Sequence, residues 1–231
     1  MKKTVVILSG GKGKRLKPYT LIMPKPLMPL GDKPILEVII RKLAKHGFKK
    51  IIIAANYRAE IIKAFFENGK KFGVKILYSV ENKEMGTAAP IKLIKNLPQN
   101  FLVINGDILT NLNFSTFYNN HLLSKSLLTV GLTKRKQLIN YGVIKIQKGK
   151  IYSFLEKPIN EYFVSMGVYV LNKNILKYIP SKKKFGFDNL ISTLLKKKVK
   201  INFYNHKKYW LDIGRPDDYE RAQKDLKKKL V

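Results

Sequence analysis

The chain has 231 residues and no cysteine, which bars disulfides, thiolate metal sites and a cysteine nucleophile. Its net charge of +31 comes from 46 Lys and Arg against 15 Asp and Glu, a balance that ordinarily suits a polyanionic partner. Only six of those cations are arginines and the lysines are spread along the chain, with short runs at 182–184, 196–198 and 227–229. The charge therefore reads as solvated surface with weak, salt-sensitive adhesion to nucleic acid, not as dedicated recognition.

In chain order, residues 4–8 form a β-branched apolar run that predicts a buried first strand. The run is too short for a signal peptide or a membrane span, so a cytoplasmic protein with no membrane partner is the default expectation. Gly10, Gly11 and Gly13 follow, with Lys12, Lys14, Arg15 and Lys25 close by. Glycines let backbone N–H groups approach a ligand, and cations beside such a loop suit a polyphosphate. A Walker loop is excluded because, counted from Gly10, Arg15 and Leu16 stand where its second Gly and its Lys are needed, and a dinucleotide fingerprint because Leu16 replaces its last Gly.

Five prolines between 18 and 34 exclude a helix there and predict an extended, ligand-side loop. Pro34 opens a helix that runs to Gly47, followed by a strand at 51–55, a helix ending near Gly69 and a strand at 74–80. Thr87 is placed to cap a short helix through Leu97. A fourth buried strand at 101–105 ends in Gly106-Asp107. The alternation predicts an α/β, doubly wound, mainly parallel sheet, whose ligands sit beyond the carboxyl ends of the strands. The second half predicts strands at 127–133, 141–146, 150–155 and 163–171, with a turn at Lys148-Gly149. Helices follow at 172–179 and 187–197, then a strand at 209–213 and a last helix opened by Pro216 that closes on 227–229.

The combination Gly-Gly-x-Gly-x-Arg-Leu-x-Pro with Pro24-Lys25-Pro26 resembles the signature of the sugar-1-phosphate nucleotidyltransferases, the NDP-sugar pyrophosphorylases, apart from Lys14, where the family usually has Thr or Ser. Further motifs match in order: Gly86-Thr87-Ala88, Asn105-Gly106-Asp107, Tyr141-Gly142-Val143, Glu156-Lys157-Pro158, Gly167-Val168-Tyr169-Val170 and Trp210-Leu211-Asp212-Ile213-Gly214. The resemblance implies a three-layer Rossmann-like fold over one nucleotidyltransferase domain, 1–231; the hexapeptide-repeat or regulatory domain that the family often appends at the C-terminus is not expected here. It implies attack by a sugar 1-phosphate oxygen on the α-phosphorus of a nucleoside triphosphate, with release of pyrophosphate. The expected partners are those two substrates, with no specific nucleic acid and with a homo-oligomer left open.

On this resemblance Arg15 and Lys25 are the catalytic cations at the phosphates, since a planar guanidinium fork suits the leaving group and an ammonium the α-phosphate. Leu8, Gly10, Gly11, Gly13, Glu81, Gly86 and Thr87 are expected around the nucleotide. Asp107 and Asp212 are the expected Mg²⁺ ligands, because each ends an apolar strand and Mg²⁺ takes one or two carboxylates plus substrate phosphates. Asp212 could alternatively cap the helix at Pro216, and Asp107 could be only a turn residue. Gly142, Glu156, Lys157 and Ser165 are expected on the acceptor, with Ser165 standing where many members have a sugar-contacting Asn. A Gln usually occupies the place of Glu81 in members that use uridine or thymidine triphosphates. A carboxylate only accepts, which suits the adjacent ring N–H and amino group of guanine, so the expected donor is GTP and the expected acceptor a manno-configured sugar phosphate. The alternatives are a solvated Glu81, a cytidylyltransferase, a small non-sugar phosphate acceptor such as phosphocholine and, from another class, a basic nucleic-acid-binding protein. His46, His121 and His206 fit no metal or catalytic spacing.

Overall fold

The computed structural model describes residues 3–181 and 183–226. The expected close of the last helix on 227–229 and the lysine at 182 lie outside the described residues. The first strand, β1 (Lys3–Ser9), is followed by a two-residue hairpin of β2 (Pro29–Leu30) and β3 (Lys33–Pro34), then α1 (Ile35–Lys45), β4 (Phe48–Ala55), α2 (Ala59–Phe66) and β5 (Lys75–Val80). Next come β6 (Asn100–Asn105), β7 (Ile108–Thr110), α3 (Phe114–Ser124) and β8 (Leu128–Leu138). A hairpin of β9 (Val143–Gln147) and β10 (Lys150–Leu155) leads to β11 (Ile159–Asn172), α4 (Phe187–Lys196), β12 (Ile201–Asn205), β13 (Trp210–Asp212) and α5 (Pro216–Asp225).

Seven strands make the central sheet in the order β12-β8-β11-β6-β1-β4-β5. β1 runs parallel to β4 and β6, β4 to β5 and β12 to β8, while β11 alone is antiparallel to its neighbours. Alternation along β1 sends Val5 and Ile7 into one hydrophobic cluster and Val6 into another on the opposite face. α1, α2, α3 and α5 cover the first cluster and α4 the second, which gives three layers. Fully burying each such Val, Ile, Leu or Phe contributes about 1.5–3 kcal/mol, so the carboxyl edge of the sheet is a firm platform. No helix among the described residues is long and apolar enough to cross a membrane.

Three local expectations change. The proline-rich segment is not extended: it winds into 3-10 turns at Tyr19–Leu21 and Lys25–Leu27 before the small hairpin. The expected helices after Thr87 and Asn172 are only 3-10 turns, Ala89–Leu93 and Lys173–Tyr178. Two elements escape pattern reading. α3 opens with seven residues of Phe, Ser, Thr, Tyr and Asn, all weak helix formers, and is started by the Asn113 side chain accepting from Thr116 N at 3.0 Å. β12 has asparagines at both its second and last positions and forms by pairing with β8.

The histidines are structural. His121 is 1% exposed, with Nδ1 2.8 Å from Thr129 Oγ1 and Nε2 3.2 Å from Asn100 Oδ1. Burial lowers its pKa to about 4, below the usual histidine value, and burial also lowers those of His46 and His206. Between about pH 6.5 and 4 the unfolded chain takes the proton that folded His121 refuses, so stability present above that window is lost as pH falls through it. His121→Gln should therefore lose less stability than wild type between pH 7 and pH 4.5 in urea denaturation. Identical pH slopes would contradict the assignment.

Candidate functional site

The carboxyl ends of β1, β4 and β6 open into a cavity of about 460 Å³. Gly10, Gly11 and Gly13 line it, as do Leu8, Arg15, Lys25, Glu81, Gly86, Thr87 and Asp107. All the residues expected at the nucleotide, both cations and one of the two expected metal ligands thus share one wall system.

The loop's shape follows from its glycines. Gly13 has φ +60°, and its carbonyl accepts from Thr20 Oγ1 at 2.9 Å and Leu16 N at 2.8 Å. A Cβ on Gly13 would lie 2.8 Å from Thr20 Cγ2. Gly106 N donates to Leu8 O at 2.8 Å, and a Cβ there would lie 3.0 Å from that carbonyl. This close approach sets Asp107 beside the glycine loop.

Lys25, fixed in its 3-10 turn between Pro24 and buried Pro26, reaches Asp107 with Nζ 2.5 Å from Oδ2. The other carboxylate oxygen, Oδ1, is buried without a hydrogen-bond partner, as are Ser9 Oγ and Asn105 Oδ1. Asp212 arrives on β13, paired with Ile108, and the next residue's N–H donates to the Asp107 carbonyl at 3.0 Å. Burial, then the charge of Asp107, raises the Asp212 pKa, while Lys25 and Arg15 oppose the rise. Asp212 does not cap α5; Asp218 does, accepting from Arg215 N at 3.0 Å. Arg15 lies flat on Gly214, where a Cβ would meet its guanidinium atoms at 3.4–3.6 Å. Gly214, Ser9 and the Asn105 amide are contributions that sequence reasoning assigned no role. Ser9 borders the glycine loop, and Asn105 and Gly214 belong to the matched motifs at 105–107 and 210–214.

Glu81 is 7% exposed, so it is not a solvated loop acid. Its Oε2 accepts from Met85 N at 3.1 Å, and Oε1 faces Gly10, where a Cβ would approach it to 2.5 Å. Burial raises its pKa, with a further rise from Glu84. Thr87 turns its hydroxyl away from the expected cap and accepts from Phe187 N at 3.0 Å, tying this loop to the start of α4.

The acceptor candidates stand apart. Gly142 and Glu156 adjoin, since a Cβ on Gly142 would lie 3.2 Å from Glu156 Oε2, and Lys157 N donates to Tyr141 O at 3.3 Å. All three are exposed at the base of the β9–β10 hairpin, outside the cavity wall. Ser165, also exposed, donates to Tyr169 Oη at 2.9 Å.

Residues 4–229 match the family described as nucleotidyl transferase. The chain is 35% identical to a D-glycero-alpha-D-manno-heptose 1-phosphate guanylyltransferase of Aneurinibacillus thermoaerophilus, over 96% of this chain and 97% of that one. It is 34% identical to a mannose-1-phosphate guanyltransferase of Yarrowia lipolytica, covering 93% of this chain but 61% of that longer one. Its fold is similar to HddC from Yersinia pseudotuberculosis complexed with GMP-PN, with a TM-score of 0.75, 29% identity and coverage of 97% and 99%.

The loop from Glu81 to Ala89 depends on Gly86, which has φ +88° and would set a Cβ 2.8 Å from the Phe185 carbonyl oxygen. Gly86→Ala should lower the unfolding free energy by about 1–3 kcal/mol. Gly11→Ala, with nothing within 4 Å of its Cβ, should leave it unchanged. Equal urea midpoints for the two variants would contradict this account.

Proposed function

The chain belongs to the nucleotidyl transferase family, and we propose that it joins the nucleotidyl group of GTP to a sugar 1-phosphate. An oxygen of the sugar phosphate attacks the α-phosphorus, the bond from that phosphorus to the bridging oxygen breaks, and pyrophosphate leaves with the electron pair. No protein nucleophile is required, in keeping with a chain without cysteine. Family membership and the relatives favour this reading over nucleic-acid binding, despite the net charge of +31.

The observation that carries the base preference is Glu81, a buried acceptor on the wall of the cavity that also presents Arg15, Lys25 and Asp107. One carboxylate can accept from both the ring N–H and the amino group of guanine, whereas uracil and thymine would set a carbonyl against it. The named guanylyltransferases among the relatives support the same choice. Cytosine, with its amino donor, is the rival base.

Arg15 and Lys25 would hold the phosphates in line and balance their charge, and positioning with charge neutralisation is most of what phosphoryl chemistry demands. Asp107 and Asp212 fit a hard divalent cation. They bring oxygen donors only, one of them buried and unpartnered, beside a cavity sized for phosphates. The described residues hold no cluster of three or more His, Cys, Asp or Glu that could bind a metal by itself. The pair therefore suits Mg²⁺, which keeps waters and takes substrate oxygens as its remaining ligands. When bound, that ion supplies positive charge against the phosphates. Gly142, Glu156 and Lys157 would meet the acceptor from the hairpin side, with a manno-configured sugar phosphate as the preferred substrate.

A pyrophosphate-release screen tests the proposal, pairing GTP, CTP, UTP, dTTP and ATP with mannose 1-phosphate and manno-heptose 1-phosphate at moderate salt. GTP should give the highest kcat/KM, chelation of Mg²⁺ should abolish release, and Glu81→Gln should shift the preference toward UTP or dTTP by about tenfold or more, the worth of one charged hydrogen bond. A wild-type preference for a pyrimidine triphosphate, or an unchanged order in Glu81→Gln, would refute the base assignment.

A further inference from the structure

A second cavity, of about 340 Å³, shares no lining residue with the nucleotide cavity. Four of its seven lining side chains are cationic: Lys134, Arg135, Lys208 and Arg221. Two of the chain's six arginines meet here, although arginine is scarce against its lysines. The arginine guanidinium is the side chain best matched to a phosphate, because it offers paired donors in one plane.

Two of the four charges are already balanced. Lys134 pairs with Glu161, and Arg221 approaches Asp225 at 3.5 Å. Arg135 and Lys208 meet no carboxylate within ion-pair distance among the described residues. Arg135 instead lies over the Trp210 ring, 4.7 Å from its centroid, and lines the cavity. Trp210 is fixed from behind, since Nε1 donates to the Met166 carbonyl at 2.9 Å. The result is a held aromatic floor under Arg135, with Lys208 lining the same cavity.

Two of the lining residues face away from the acceptor candidate Ser165. Cross-strand partners share a face of a sheet and successive residues alternate. In the β8–β11 ladder Thr133 pairs with Val164 and Arg135 with Tyr162, while Ser165 pairs with Leu132. Thr133 and Arg135 therefore lie on the opposite face from Ser165.

We propose that this cavity is a second anion site, one that takes the phosphate group of a small ligand. Arg135 and Lys208 supply the unbalanced charge, Arg221 a second guanidinium and Thr133 a hydroxyl. The phosphate could belong to inorganic phosphate or to a phosphate monoester, and the volume admits either.

The chain's single tryptophan is the floor of this cavity, so its fluorescence reports there. Trp210 emission should be followed while inorganic phosphate or glycerol 3-phosphate replaces chloride at constant ionic strength. The proposal expects a saturable change with at least one probe, and the probe with the lower half-saturation point identifies the source. Lys208→Gln and Arg221→Gln, which leave the Arg135–Trp210 contact in place, should each raise that point about tenfold, as loss of a charged hydrogen bond does. Arg15→Gln, in the nucleotide cavity, should leave it unchanged. Three results would overturn the proposal: a non-saturable change, half-saturation points unaltered in both Lys208→Gln and Arg221→Gln, or loss of the signal in Arg15→Gln, which would assign it to the nucleotide cavity.

Discussion

The rest of the site depends on one ion pair, between the Lys25 ammonium and the Asp107 carboxylate. The fold brings two acids, Asp107 and Asp212, to one partly buried corner, where burial and then the charge of Asp107 disfavour the charged form of Asp212. Lys25 offsets that repulsion at 2.5 Å, and Arg15 adds a second positive charge from across Gly214. The same two cations are those a triphosphate would meet. The acids of this corner are therefore balanced by groups that, on the proposed function, would exchange a carboxylate partner for phosphate oxygens.

The backbone explains why these charges can sit so close. β1 and β6 are adjacent and parallel, so their carboxyl ends emerge side by side, and the Gly106 to Leu8 contact draws them together. β13 then pairs antiparallel with β7 and delivers Asp212 to the same corner from far along the chain. Opposite them, Glu81 leaves β5 and is trapped under the Gly10 backbone by the Met85 hydrogen bond. The cavity thus has a charged end at Arg15, Lys25 and Asp107 and a hydrogen-bond acceptor at Glu81, with the glycine loop also on its wall.

Much of this was legible in the sequence because it rests on local chemistry. The glycine loop, the lysine between two prolines and the acid-ended strands each announce themselves within a few residues, although the 3-10 turn that holds Lys25 did not. The alternation of strands and helices was enough for the mainly parallel sheet. What was not legible depends on contacts between distant segments. α3 and β12 carry weak intrinsic preferences and exist because the sheet gives them a surface to pack on or pair with. The Thr87 hydroxyl looked like a local cap and instead serves α4, a hundred residues away. The burial of Glu81 could not be read from its charged neighbours Lys83 and Glu84, and the Arg135–Trp210 stack joins residues that no spacing rule relates.

The central claim is that one cavity reads guanine at Glu81 and phosphates at Lys25. A crystal structure of the chain with a non-hydrolysable GTP analogue and Mg²⁺ tests it most directly. The account predicts the ring N–H and amino group of guanine within hydrogen-bond distance of the Glu81 carboxylate, and Lys25 Nζ on a phosphate oxygen. A base edge turned away from Glu81, or phosphates bound elsewhere with the Lys25–Asp107 pair intact, would contradict it.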